Sequence, residues 1–398
     1  MISFKTELKL NNKQRTLCSK HAGVARHAWN WGLEETKKSL ENNESLPSAI
    51  TLHKKLVQEV KQNNPWYYEV SKYTPQQSLR NLETSWKRCF KKISKKPKFK
   101  KKGVSDSFYL EGNIQIKGNR IKLPVLGWIK SYEELPDILK GKSQTANVTI
   151  SLKANKWFIS FKLLNIPEHT KKNIDIVGVD LGIKTLATLS DGTTFSNPKA
   201  YRKSKRKLKK VSRAFSKKTK DSKNREKAKR KLQKVHYKIS NIRKNTLHQI
   251  TSYLSKNHRR IAIEDLNVSG MLKNRKLASA IADCGFYELR RQLEYKCKLY
   301  GSELIYVDRW FPSSKICSNC GQKKDILSLS ERVYLCECCG ICLNRDLNAS
   351  INIKSWHDSR AISEALGEFR LVEGDNNLIS SNQTSNETRI EQQLLKIV

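Results

Sequence analysis

The sequence predicts a mixed fold, α/β plus α+β, spread over two or three domains. Three observations carry that expectation. The chain has 398 residues, enough for more than one real core. Its texture switches from helical spacing near the N-terminus to strand alternation after about residue 108. At its centre lies Ile174 to Gly192, two short β-branched runs split by Gly182 and Ile183 and closed by Asp191-Gly192, which reads as a buried hairpin.

Ile2, Phe4, Thr6, Leu8 and Leu10 alternate as in a half-buried strand. Leu17, His21, Val24, Ala28 and Trp31 recur at three-to-four spacing, predicting a helix over 14–42, and 48–62 and 73–93 look helical too. The basic knot Lys91 to Lys102, interrupted by Pro97, reads as a loop. Strands are expected at 113–117 and 120–123 around Gly118-Asn119, at 126–129, 146–152 and 156–164, with Ala154-Asn155 as a second hairpin turn. Strand 2–10 is expected to join this sheet, with the helices of 14–93 inserted between its strands. Further on, 246–255 and 278–300 look helical, and 260–266 and 304–307 look like strands.

Lys plus Arg total 78 against 37 acids, a formal net charge of +41. Such self-repulsion points to a polyanionic partner, and nucleic acid fits best because phosphate neutralisation releases counterions. The densest stretch, 199–244, carries 22 Lys or Arg and the acids Asp221 and Glu226, with Leu208, Val211, Phe215, Leu232, Val235 and Ile239 at helical spacing. Two basic helices with a break near 218–222, touching a phosphate backbone, are expected. No apolar run approaches a membrane span and no signal-peptide core opens the chain, so a cytoplasmic protein acting at the nucleoid, with no membrane partner, is expected.

Six of the ten cysteines fall between Cys317 and Cys342. Cys317-x-x-Cys320-Gly and Cys336-x-x-Cys339-Gly have the spacing of a four-thiolate zinc ribbon, a closed structural site. Cys339 and Cys342 form another C-x-x-C, and Cys338 is also to hand, so the second ligand pair stays open at this point.

Asp180 ends an apolar run, and a carboxylate there is costly without partners. A second apolar strand, 260–266, carries Glu264 beside Asp265, and Asp346 falls in the first turn of a helix starting after Asn344. Asp180 could instead serve its turn and Asp346 could be a capping acid. Together Asp180, Glu264 and Asp346 could hold Mg2+, two ions about 3.5–4 Å apart, for phosphodiester hydrolysis.

Gly178-Val-Asp180-Leu-Gly-Ile-Lys184, Ile261-Ala-Ile-Glu264-Asp-Leu266, the two knuckles and Asn344-Arg-Asp346-Leu-Asn348-Ala349 resemble the RuvC motifs and zinc ribbon of the TnpB family. Arg26-His-Ala-Trp-Asn-Trp-Gly32, Gln77-Ser-Leu-Arg-Asn-Leu-Glu83, Leu123-Pro-Val-Leu-Gly127 and Phe311-Pro-Ser-Ser-Lys315 extend the resemblance over nearly the whole chain. TnpB proteins are RNA-guided nucleases of insertion sequences, related to type V CRISPR effectors.

The resemblance implies an RNase H-like RuvC nuclease domain over 172–311 and 343–366, including the basic hairpin 199–244, with Asp180, Glu264 and Asp346 as its acidic triad. It also implies a zinc ribbon at 312–342, a wedge β-barrel from 1–10 and 105–166, and an inserted helical recognition domain over 11–104. Residues 367–398 are expected to be a disordered tail. Expected partners are a guide RNA and double-stranded target DNA, bound by a monomer. Lys72 and Gln76 are candidates for reading the motif beside the target, since Gln can pair bidentately with adenine. The other readings are a miniature CRISPR effector, a non-cutting DNA-binding regulator and a strand-joining transposase. The filled triad speaks against the regulator.

Overall fold

The computed structural model describes residues 2–104, 106–135, 147–163, 171–328 and 330–356. The expected tail 367–398, and 357–366 of the expected nuclease domain, lie outside them. By contacts the chain divides into two units, 1–167 with 204–239 and 168–203 with 240–398.

In the first unit the N-terminal alternation becomes β1 (Ile2–Lys9). Asn11 then caps α1 (Asn12–Glu41) with a reciprocal capping box to Gln14. Next come α2 (Ala49–Lys55), continued by a π turn over Leu56–Lys61, and α3 (Tyr73–Phe90). Strands β2 (Ser107–Glu111), β3 (Gln115–Lys117), β4 (Arg120–Leu123), β5 (Gly127–Ser131), β6 (Asn147–Lys153) and β7 (Lys156–Leu163) follow. With β1 they form an antiparallel sheet of order β2-β6-β7-β1-β5-β4-β3, which β1 joins as expected, at its middle. Among the described residues β2 and β3, the two ends of this order, are not paired with each other.

The two predicted hairpin turns are present, Gly118 at φ +54 and Ala154-Asn155 at φ +51 and +68. Inward residues Leu8, Phe108, Leu110, Ile121, Ile129, Ile150, Ile159 and Phe161 share one core with Cys18, Ala22 and Ala25 of α1. Gly32 is required where α1 crosses α3, because a Cβ there would sit 2.6 Å from a Leu79 methyl.

The second unit is built on β8 (Ile174–Asp180), β9 (Thr185–Leu189), β10 (Thr194–Ser196), β11 (His258–Glu264) and β12 (Glu303–Val307). Their order is β10-β9-β8-β11-β12; β9 and β10 run antiparallel to their neighbours and β11 lies parallel to both β8 and β12. Three antiparallel strands continued by two parallel ones are the RNase H-like arrangement. β10, too short for a periodicity signal, has no counterpart in the sequence reading.

The basic segment forms α4 (Ala200–Ser216) and α5 (Lys223–Asn257), broken where expected. The helix read at 246–255 is the end of α5. The single helix expected over 278–300 is two, α7 (Ala278–Cys284) and α8 (Phe286–Tyr300), following the short α6 (Val268–Met271). Gly285 breaks it with φ +75, its N–H closing α7 on Ile281 O.

Val177, Val179, Ile261 and Ile263 face Leu247, Ile250, Leu254, Phe286, Leu289 and Leu293 on one side of the sheet. Ala262 and Val307 face Ile353 on the other, from a helix over 345–356, here α9. The sheet therefore has helices on both faces.

Candidate active site and thiolate centre

Side chains alternate faces along a strand, and this fixes where the acids point. Gly178 pairs in register with Ala262, on the face covered by α9. Asp180 and Glu264 each lie two residues further on, so both address that same face at the C-terminal ends of adjacent parallel strands, which are about 4.8 Å apart. Asp265 has the opposite parity and is already engaged. Arg309 and Arg290 bind it and hold its carboxyl below the usual range.

The third acid arrives on α9. A Cβ at Gly178 would overlap the main chain at Ser350 O and Lys354 N, so α9 lies directly on the β8 backbone. From that contact, one helical turn back from Ser350 reaches Asp346 and two residues forward from Gly178 reaches Asp180. Each step is about 6 to 7 Å. Asn344 caps α9, its Oδ1 accepting from Asp346 N at 2.9 Å and Leu347 N at 3.2 Å.

The charges of the three acids overlap. Burial first, then the charges of Glu264 and Asp346, push the Asp180 carboxyl up to about 7, with Arg345 opposing. This all-oxygen donor set, short of positive charge, fits a hard divalent cation. The acids are not drawn together as closely as the thiols described below.

Three side chains to which the sequence reading gave no role hold this edge. Ser313 is 5% exposed and donates its Oγ proton to Glu264 Oε1 at 2.6 Å. Asn352 Nδ2 donates to Ser313 O at 2.7 Å and Ile316 O at 2.6 Å, and Asn348 Nδ2 donates to Ile316 O at 2.7 Å. Asn348 Oδ1 accepts from Ser318 N at 2.9 Å. Both amides are buried on α9 and clamp the loop that enters the cysteine cluster. The advance signals were the place of Asn348 in the Asn344-to-Ala349 motif and the i, i+4 spacing of Asn352 from it.

Cys317, Cys320, Cys336 and Cys339 have thiol sulfurs all within 4.8 Å of one another, the arrangement of a four-thiolate zinc site. Each knuckle turns identically. Gly321 N donates to Cys317 O and Gly340 N to Cys336 O, both at 3.0 Å, with the glycines at φ +77 and +70. Among the described residues Cys338 and Cys342 fall outside this group; Cys342 lies in the ladder of β13 (Val333–Leu335) and β14 (Cys342–Asn344), paired with Leu335.

Lys72 and Gln76 belong to the first unit, at the start of α3. Lys72 is exposed, its ammonium 5.5 Å from the Tyr73 ring centroid, and Gln76 is half-buried. They share one helix face at i, i+4.

Among curated relatives, a "Putative RNA-guided DNA endonuclease" of Streptomyces pristinaespiralis is 35% identical over 360 residues, 88% of either chain. The chain belongs to the TnpB family. A second TnpB relative, "Putative RNA-guided DNA endonuclease InsQ" of Escherichia coli K12, is 34% identical over 377 residues, 88% of this chain and 91% of InsQ. The OrfB_IS605 family, described as "Probable transposase", matches 158–275, and the Cas12f1-like TNB domain matches 286–353, which contains the cysteine cluster. A helix-turn-helix family matches 1–45, yet this TnpB chain has a strand and one unbroken helix there. A solved complex of Cas12f1 with single guide RNA and target DNA aligns at TM-score 0.49 and 15% identity, covering 84% of this chain and 81% of that one.

Proposed function

We propose that the protein is an RNA-guided DNA endonuclease of the TnpB type, cutting double-stranded target DNA as a monomer with its guide RNA in the cytoplasm. The observation that carries this reading is the convergence of Asp180, Glu264 and Asp346 on one sheet face beneath α9, in a chain of net charge +41. The same reading assigns the nuclease domain to 172–311 and 343–366, the ribbon to 312–342, the wedge to 1–10 and 105–166 and the recognition helices to 11–104. Lys72 and Gln76 are its readers of the flanking motif.

Asp180, Glu264 and Asp346 would hold Mg2+, which would supply positive charge for attack on a phosphodiester and departure of its leaving oxygen. The chain's own residues set the geometry. Ser313 ties down one oxygen of Glu264 and so fixes the carboxylate's orientation. The Asn344 cap fixes the first turn of α9 and so the position of Asp346. The four thiolates would close the coordination of a zinc ion, which would brace the loop of Ser313 and leave no open position for hydrolysis.

The test is a plasmid library with a randomised flank beside a target matched to the copurifying RNA, with Mg2+, and Asp180→Ala in parallel. Guide-dependent linearisation that disappears in Asp180→Ala supports the reading. Cutting by Asp180→Ala, or no copurifying RNA, rejects it. The transposase description of the matching family favours one second reading, strand joining, which predicts joined products where the nuclease leaves linear ends.

A further inference from the structure

Trp310 is 84% exposed, against 69% for Tyr287 and 65% for Tyr68, the next most open of the described aromatic side chains. Tryptophan is rarely left in water, since its ring carries a large apolar area. Among the described residues Trp310 has no ring, cation or side-chain hydrogen-bond partner, while everything around it is fastened. Asp308 Oδ1 accepts from Trp310 N at 2.7 Å, and Phe311 N donates to Asp308 O at 3.0 Å. Arg309 is paired with Asp265, Phe311 packs on Val307 and Ile353, and Ser313 reaches Glu264. The turn thus holds a bare indole at the rim of the carboxylate edge.

A protein partner would call for a contiguous apolar patch. The flanking Asp308 and Arg309 are charged, and every other large apolar side chain between 303 and 315 is at least partly buried. A nucleobase needs only one flat ring and brings its own phosphate to the site. We propose that Trp310 is a stacking platform for one base of the single DNA strand entering the carboxylate edge, which rests on the nuclease reading above and adds a substrate-binding residue to it.

The protein has eight tryptophans, so the emission lost in Trp310→Phe isolates this ring. Full-length protein without divalent cations would be titrated with oligothymidylate and with an abasic oligonucleotide of equal length and charge. Quenching of the Trp310 emission by the first alone is expected. Equal quenching by both, or by neither, overturns the proposal. In guide-dependent cleavage, Trp310→Ala should raise KM roughly 5- to 100-fold, with Trp310→Phe close to the parent and the melting temperature unchanged. An unchanged KM, or a lowered melting temperature showing that the indole packs on its own chain, also overturns it. Failure of the parent to cut would reject the nuclease reading, while the fluorescence titration still reports on stacking.

Discussion

Glu264 and Asp265 are neighbours in sequence with opposite fates, and strand parity separates them. One faces α9 and the site, the other faces two arginines. Asp180 and Glu264 stood out as candidates because a carboxylate ending an apolar strand is conspicuous, whereas Asp346, in a helix, came with the family motif. Ser313 was not, since a serine hydroxyl gives no sign of its partner until the loop is folded. Ser313→Ala should lower kcat roughly 10- to 100-fold and the melting temperature by a few degrees, because one hydrogen bond to a charged group is worth about 1.5–3 kcal/mol. Loss of folding instead would make the serine structural. Lys296 is 5% exposed and donates to His248 O, Thr251 Oγ1 and Ser252 Oγ, with no acid among these partners. Burial lowers its pKa from 10.5 to about 8, so the unfolded chain binds more protons between those values. Stability should therefore rise with pH across that window, by on the order of 3 kcal/mol in total. Denaturation midpoints at pH 7.5 and 10 should show the rise in the parent and lose it in Lys296→Met.

At the scale of elements, the strand-rich half read well wherever a turn dipeptide marked it. It failed where a single backbone angle decided: Gly285 splits a segment whose apolar spacing runs straight through the break. The ribbon could be recognised from C-x-x-C-G spacing, but not which thiol completes it, because three cysteines crowd within four positions of Cys339 and only folding shows which four sulfurs come together. Cys339→Ser should abolish stoichiometric zinc, whereas Cys338→Ser and Cys342→Ser should keep it, as elemental analysis of the purified proteins would show. Zinc chelation should also lower cleavage, since the ribbon loop carries Ser313, and added zinc rather than magnesium should restore it. Recovery with magnesium alone would break the link between ribbon and site.

On the scale of the molecule, composition announced a polyanion partner, and the structure shows how the charge is displayed. Along α4, Ser204, Leu208, Val211 and Phe215 form the half-buried stripe, while Lys203, Lys205, Arg206, Lys207, Lys209, Lys210 and Arg213 are all exposed. Among the described residues none of these cations has an ion pair. Replacing Lys205, Lys209 and Arg213 by Gln should weaken RNA binding and flatten its dependence on salt by about two to three counterions. An unchanged salt slope would place the RNA elsewhere.

Gly178 carries a consequence of another kind. Any change at the first or second base of a glycine codon installs a side chain or a stop, and here even a methyl group meets the α9 backbone. Gly178→Ala should cost at least about 1–3 kcal/mol and displace the helix that bears Asp346, which loss of cleavage and a lower melting temperature would register. Mobile elements accumulate decayed copies. A copy with Asp180, Glu264 and Asp346 all intact could still be silenced by one nucleotide two codons upstream of the first acid, so an inventory of carboxylates alone would overcount the living ones.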